Sequence, residues 1–407
     1  MVRLNNVNFK LVSEILFLNF FLFPIYPENF EPLFIGLFLV FAIYYALKKR
    51  ICILKIGNNF NSLLIINTSL FVLLLISLLY SNNLDFGLES IFRFLPLLIF
   101  PVGFYLLKDN KYIYRSKLFT IGKLLFYFST LILFISIFLV FYYRGFVTEN
   151  FFLNYSYRII FQLGKFSMHP IYASIVTLIA LIFSISLFKI KSYKYVIIFG
   201  NILLTINLFL LSRKSAIIIM CLLFLCFFLF NKKIKTNLKI FFLLFIALFL
   251  IVTIKFIPDI SNRFNDLYSL LDTNKSTSTN LRLNLINLSI DAIKERPFLG
   301  YGIGDSKDVL SELEKQNNFF KGKYYNTHNQ FLGFLISTGF LGLFIFVLFL
   351  FKNWKSAIIG GYEQLSIIFL FVSFMFIENI LERQNGVIFF SFFINYFSFY
   401  NEVNKSK

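Results

Sequence analysis

The sequence is poor in charge, histidine, cysteine and tryptophan, and these shortages close off whole classes of explanation. Only 14% of its 407 residues are charged while 58% are hydrophobic. So few charges cannot coat a water-soluble globule of this size, and so much apolar surface cannot stay disordered. The three cysteines, Cys52, Cys221 and Cys226, sit in or beside apolar runs. Their spacing fits no metal or redox motif and their number makes no disulfide scaffold. Tryptophan occurs once and histidine twice, against 61 phenylalanines. The phenylalanine excess reads as compositional bias, without functional meaning.

What remains is a chain with a net charge of +19. In a soluble protein that would suggest nucleic acid. Here the apolar residues come in runs of membrane-spanning length, about 17–25 residues each, so the reading is an all-α polytopic membrane protein with no nucleic-acid partner. The runs predict twelve transmembrane helices, near 11–27, 30–47, 62–80, 84–107, 118–143, 170–188, 195–211, 215–231, 240–257, 330–351, 364–381 and 387–400. Arg3 and Lys10 precede the first run, but no small-residue cleavage site follows it, so a retained helix is expected.

Lysine fixes the orientation. Lys48, Lys49, Arg50 and Lys55 form one basic loop, and Lys108, Lys111, Arg115 and Lys117 the next. Lys189, Lys191 and Lys194, then Lys232, Lys233, Lys235 and Lys239, and finally Lys352 and Lys355 continue the series. Every second loop is basic, so both termini are expected in the cytoplasm, and most of the excess charge is a topology signal. Two outer segments are long, at about 144–169 and 258–329. In the second, which falls between helices 9 and 10, Leu281, Leu285, Leu288 and Ala292 share a helical stripe that Pro297 ends. A shorter helix at 306–316 turns Val309, Leu310 and Leu313 one way. The segment therefore reads as an extracytoplasmic helical cap.

The outer half carries arginine where the inner half carries lysine. Arg93, Arg144, Arg158, Arg213, Arg263, Arg282, Arg296 and Arg383 all fall in outer loops or, for Arg93, inside a span. Lysine suffices as a topogenic point charge, whereas a guanidinium fork matches phosphate oxygens in pairs. Ordinary ion pairing is the competing explanation for any one of them. Arg213 stands out because Ser212-Arg213-Lys214 is a minimal turn between two apolar helices, where a cation is costly without a partner. His169 and His328 both stand at outer helix starts, and His328 lies in Asn326-Thr327-His328-Asn329-Gln330. Glu378 falls inside a predicted span and could pair with an arginine or serve as a site. Gly300, Gly302 and Gly304 lack the strand context of a nucleotide loop and read as a flexible turn. Gly339 and Gly342 read as points of close helix contact. No Asp-x-Asp, His-Glu-x-x-His or Gly-x-Ser-x-Gly occurs.

Taken in order, these landmarks resemble a known family. Leu211-Ser212-Arg213, Leu281-Arg282-Leu283, Arg296-Pro297-Phe298-Leu299-Gly300-Tyr301-Gly302 and Thr327-His328-Asn329-Gln330-Phe331-Leu332, running into Ser337-Thr338-Gly339-Phe340-Leu341-Gly342, are similar to the shared domain of O-antigen ligases and O-antigen polymerases. The resemblance covers residues 195–350 of a single membrane domain spanning 1–407. Each stretch is short, and the ordered set is what is specific. Two departures are visible: Ile286 or Asn287 stands where the family often has tryptophan, and Ser337 where it often has an acid.

The resemblance implies a multi-pass enzyme of the bacterial cytoplasmic membrane, acting at its outer face in polysaccharide or lipopolysaccharide biosynthesis. It would transfer glycan from undecaprenyl diphosphate, with inversion and without metal or cofactor. The acceptor would be a second lipid-linked glycan for a polymerase, or a lipid A-core sugar for a ligase. On this reading Arg213 and Arg282 hold the diphosphate, and His328 takes the acceptor's proton or only positions its hydroxyl. Arg93, His169 and Asn329 are further candidates for substrate contact. The alternative is a flippase or transporter of lipid-linked saccharide. That alternative calls for arginines along a central cavity and for repeat symmetry, and no internal repeat is visible.

Overall fold

In a bilayer a spanning segment finds no water for its backbone, so it must close its own hydrogen bonds as helix. The computed structural model describes residues 9–50, 59–145, 167–230, 278–317 and 326–405, together with positions 155, 158, 159 and 164. Among the described residues every regular element is helical. The helices are α1 (Phe9–Asn19), α2 (Glu31–Lys49), α3 (Asn59–Ser77), α4 (Leu84–Phe94), α5 (Pro96–Leu106), α6 (Ser116–Tyr143) and α7 (Pro170–Leu187). They continue with α8 (Lys194–Leu210), α9 (Lys214–Phe230), α10 (Ser278–Glu295), α11 (Ser306–Asn317), α12 (Gln330–Gly360), α13 (Tyr362–Met375) and α14 (Gln384–Lys405). Among the described residues seven runs are long and apolar enough to cross a membrane, and α9 and α13 are shorter apolar helices. The molecule is thus an all-α multi-pass membrane protein. The span expected at 240–257 lies outside the described residues, as do Arg263, Cys52 and much of both long outer segments.

Several expected spans take a different form, the run at 11–27 being α1 followed by a 3-10 turn over Phe20–Ile25. The run at 84–107 is two helices meeting at Pro96, whose missing N–H and ring disfavour continuous helix. The run at 364–381 stops being α-helical at Met375. The N–H groups of Ile377 and Glu378 both turn back to the Phe374 carbonyl, at 2.9 and 2.8 Å. Glu378 therefore lies beyond a helix end, not inside a span.

Burial sorts the helices into layers. α7 is buried around nearly its whole circumference, and α14 is buried on almost every residue from Asn385 to Phe399, packed against α5, α12, α3 and α13. α2 instead shows a lipid stripe of Leu33, Leu37, Val40, Tyr44 and Leu47, opposite a buried face of Phe38, Phe41, Ala42 and Tyr45. The phenylalanines find their use here as packing. Phe20 meets Phe38, Phe100 and Phe392 with ring centroids 4.9–5.2 Å apart, tilted or edge-on.

Lipid tails compete equally for apolar faces, so buried polar bonds matter for holding the helices in register. Asn67 on α3 donates to Asn395 on α14 at 2.8 Å and accepts from Asn353 on α12 at 2.9 Å, while Ser398 donates to Asn353 at 2.5 Å. Replacing Asn67 with leucine leaves polar groups on two other helices unpaired. The expected loss is about 1–3 kcal/mol, measured by reversible unfolding in bicelles. A variant as stable as the parent would show that the ladder is incidental.

α12 is not continuous. Gly339 adopts φ 62°, ψ −164°, which breaks the helix and strips nearby carbonyls and amides of their partners. The segment after α10 supplies replacements. Tyr301 N–H donates to Ile336 O at 2.8 Å and Gly302 N–H to Ser337 O at 2.9 Å, while Phe340 N–H donates to Pro297 O at 2.8 Å and Leu341 N–H to Phe298 O at 3.3 Å. The glycine run expected to be a flexible turn is instead docked into the break, because a helix broken within apolar surroundings must find donors elsewhere. A Cβ on Gly339 would collide with the backbone of Phe298, and one on Gly300 with Ile336 O. Gly342 does serve helix contact, facing Leu73 of α3. Beside this joint, Leu288, Ala292, Tyr301, Leu310 and Ile336 form a small separate core, which includes members of both predicted cap stripes. On the other side, Asp305 accepts from the backbone N–H groups of Asn82 and Asn83 at 2.8–3.0 Å.

Candidate functional site

The helix starts and chain turns that this framework fixes surround one cavity of about 720 Å³. Arg93, His169, Arg213, Arg282 and His328 all line it, joined by Glu378, Glu382, Arg383, Lys307 and Asn326. The sequence distributes these residues over nearly 300 positions, and the fold brings them together. His169 caps α7, Arg213 and Lys214 stand at the start of α9, and His328 precedes α12. Three helix N-termini therefore meet at the cavity, and the positive ends of their dipoles favour an anion there.

Local geometry explains how each side chain is held. Ser212 at φ 50° lets α8 turn directly into α9, so that Arg213 emerges at the rim. His328 also has positive φ, at 46°, a backbone region that histidine enters more readily than most residues. Its N–H is fixed by Asn326 Oδ1 at 3.1 Å. Its neighbours are committed to the segment after α13. Thr327 donates to Asn379 Oδ1 at 2.9 Å, and Gln330 Oε1 accepts from Leu381 N–H at 2.9 Å. Asn329 does not line the cavity. Its Oδ1 caps α12 by accepting from Phe331 and Leu332 N–H at 2.9 and 3.2 Å, and its Nδ2 donates to Phe376 O at 3.3 Å.

The centre of the site is a relay of charge. His328 Nδ1 lies 2.7 Å from Glu378 Oε1, and Arg282 reaches the other carboxylate oxygen at 3.8 Å. Burial alone would raise the Glu378 carboxyl, but the His328 hydrogen bond and charge, with Arg282 and His169, hold it below its ordinary value. Glu378 is therefore a carboxylate at neutral pH. An anionic partner on Nδ1 keeps the proton there and leaves Nε2 as the basic nitrogen. Among the described residues no partner holds Nε2.

Other members are more heavily engaged. Arg93 bridges α4 to the chain after α13, with one nitrogen 2.6 Å from Glu89 and another donating to Glu382 O at 2.8 Å. Glu382 accepts from Asn326 and Asn379 at 2.8 Å each. Burial, then the charges of Arg383 and Arg213, lower His169 from 6.5 to about 4, so it is neutral at physiological pH. Among the described residues no group of three or more histidine, cysteine or acidic side chains could hold a metal ion.

The sequence offers Glu378 an arginine partner without saying which and does not point to His328, and it gives Arg383, Lys307 and Glu382 no named part in the site. The signal for Arg383 was its membership of the outer arginines. Glu378 pairs with residues 50 and 96 positions away, which no local pattern reveals.

Residues 199–347 match the family model described as O-antigen ligase. The match takes in Arg213, Arg282 and His328 and leaves Arg93, His169, Glu378 and Arg383 outside. No curated protein matches the chain.

Proposed function

Because the chain belongs to the O-antigen ligase and polymerase family through residues 199–347, we propose that it transfers glycan from undecaprenyl diphosphate to an acceptor hydroxyl. The reaction takes place at the outer face of the bacterial cytoplasmic membrane, with both chain termini in the cytoplasm. The acceptor is a second lipid-linked glycan or a lipid A-core sugar. The observation that carries this reading is the meeting of Arg213, Arg282 and His328 in one cavity, with Glu378 bound to His328.

In the proposed mechanism the acceptor oxygen attacks the anomeric carbon from the face opposite the diphosphate, inverting it. The bond from that carbon to the phosphate oxygen breaks, and undecaprenyl diphosphate leaves with the electron pair. The acceptor's proton passes to Nε2 of His328, and Glu378 stabilises the imidazolium formed. Arg213 and Arg282 neutralise charge developing on the leaving diphosphate, a task suited to preorganised guanidinium groups without a metal or cofactor. Arg93 and His169 complete the wall facing the substrate, and Asn329 serves it indirectly by capping α12.

Arg213→Ala and Arg282→Ala are each expected to lower transfer from purified lipid-linked donor by roughly tenfold to a hundredfold, as loss of a charged hydrogen bond implies. Arg213→Lys should recover only part of the loss, because an ammonium cannot reproduce the two-pronged fork. Full activity in both alanine variants would rule out the clamp.

A further inference from the structure

Among the described residues four carboxylates line the cavity, and each is already engaged. Glu89 holds Arg93 at 2.6 Å, Glu378 holds His328 at 2.7 Å and Arg282 at 3.8 Å. Glu382 accepts from two amides and lies 3.7 Å from Lys307, and Glu28 accepts from Asn385 at 2.9 Å. Arg383 also lines the cavity and is exposed to it. Among the described residues no ion pair or hydrogen bond holds its guanidinium.

Beside it stands a neutral imidazole. Burial, with the charges of Arg383, Arg213 and His328 outweighing the opposing charge of Glu378, keeps His169 unprotonated down to about 4. The Ile171 N–H donates to His169 Nδ1 at 3.4 Å, which leaves the ring proton on Nε2. His169 can therefore only donate from Nε2. A cation without a carboxylate, a second cation nearby and a fixed N–H donor form a set whose mutual repulsion an anion would relieve.

We propose that Arg383 and His169 form a phosphate subsite that, with Arg213, grips one phosphate of the lipid-linked diphosphate and leaves the other to Arg282. This rests on reading the cavity as a diphosphate site. It adds a residue outside the matched family region and gives neutral His169 the part of a hydrogen-bond donor. Once a phosphate sits there, the added negative charge favours protonation of His169 and should raise its titration midpoint.

The test uses the full-length protein in nanodiscs with labelled histidine rings. With two histidines in the chain, His169→Gln assigns both signals. Farnesyl diphosphate, farnesyl monophosphate and inorganic diphosphate are the probes. Farnesyl diphosphate is expected to raise the His169 midpoint, and Arg383→Gln to weaken its binding about tenfold, the loss of one charge-assisted hydrogen bond. Arg383→Lys should fall between the two. A response to inorganic diphosphate at similar concentrations would assign the subsite to the bare anion, and a response to the farnesyl compounds alone to a lipid headgroup. An unchanged His328 signal in Arg383→Gln shows that the fold is intact.

If Arg383→Gln binds farnesyl diphosphate like the parent while Arg213→Ala and Arg282→Ala do not, the subsite is refuted and the diphosphate reading stands. If all three variants bind it like the parent, both fall.

Discussion

Replacing His328 with alanine is expected to lower the rate of glycan transfer by about 10²–10⁴, the range typical for loss of a general base. Binding of the lipid-linked donor should change little. The expectation rests on geometry. Glu378 at 2.7 Å fixes the proton on Nδ1 and leaves Nε2 toward the cavity. Glutamine in place of His328 separates the two roles open to the imidazole, since an amide can orient a hydroxyl but cannot take its proton. His328→Gln should be as slow as His328→Ala if proton transfer is the role, and close to the parent if positioning is enough. Glu378→Gln should reduce kcat with KM for the donor unchanged, because it removes the charge that stabilises the imidazolium while retaining much of the shape. Single-turnover assays with labelled donor make these comparisons. An alanine variant at His328 that works at the parental rate would remove the residue from the mechanism.

The second large effect is structural. Gly339→Val is expected to cost more than about 4 kcal/mol and to abolish recovery of folded protein, a loss of the size seen for severe backbone strain combined with core disruption. Valine at φ 62° is strained in itself. Its side chain would also enter the backbone of Phe298 and push the docked segment out of the helix break, along with the four backbone hydrogen bonds that fill it. Gly342→Ala is the comparison. Its Cβ would meet the side chains of Thr338 and Leu73, which can shift, so a milder loss is expected. Monodispersity on size-exclusion chromatography and the thermal midpoint in detergent report both. Parental stability in Gly339→Val would mean that the joint does not hold the cap to α12.

These two positions show how far the sequence could be read. Apolar run length and lysine alternation suffice for the helical membrane class, because the bilayer leaves the backbone few options. The matched helices then begin within about three residues of where the runs predict. Arg213 was legible as a cation in a costly place, Arg282 as an outer arginine within the family resemblance and His328 as an isolated imidazole at a helix start, and the structure brings all three to one cavity. Their partners were not. Glu378 looked like an acid inside a span because hydropathy averages over a helix end, and only the turn after Met375 puts it beside His328. The glycines at 300 and 302 looked like slack because nothing local announces a broken helix more than 30 residues later. Asn329 drew attention as a polar neighbour of His328, yet its side chain is occupied in capping α12.

Glycosyl transfer and transbilayer movement of lipid-linked saccharide are best separated in one vessel. Purified protein in proteoliposomes, given labelled lipid-linked donor and acceptor on the side corresponding to the cavity, should yield glycosylated acceptor and free undecaprenyl diphosphate in equal amounts. The donor should not cross the bilayer, and the yield should collapse with His328→Ala. Intact donor appearing on the far side, with no covalent product on the near side, would contradict the enzyme assignment.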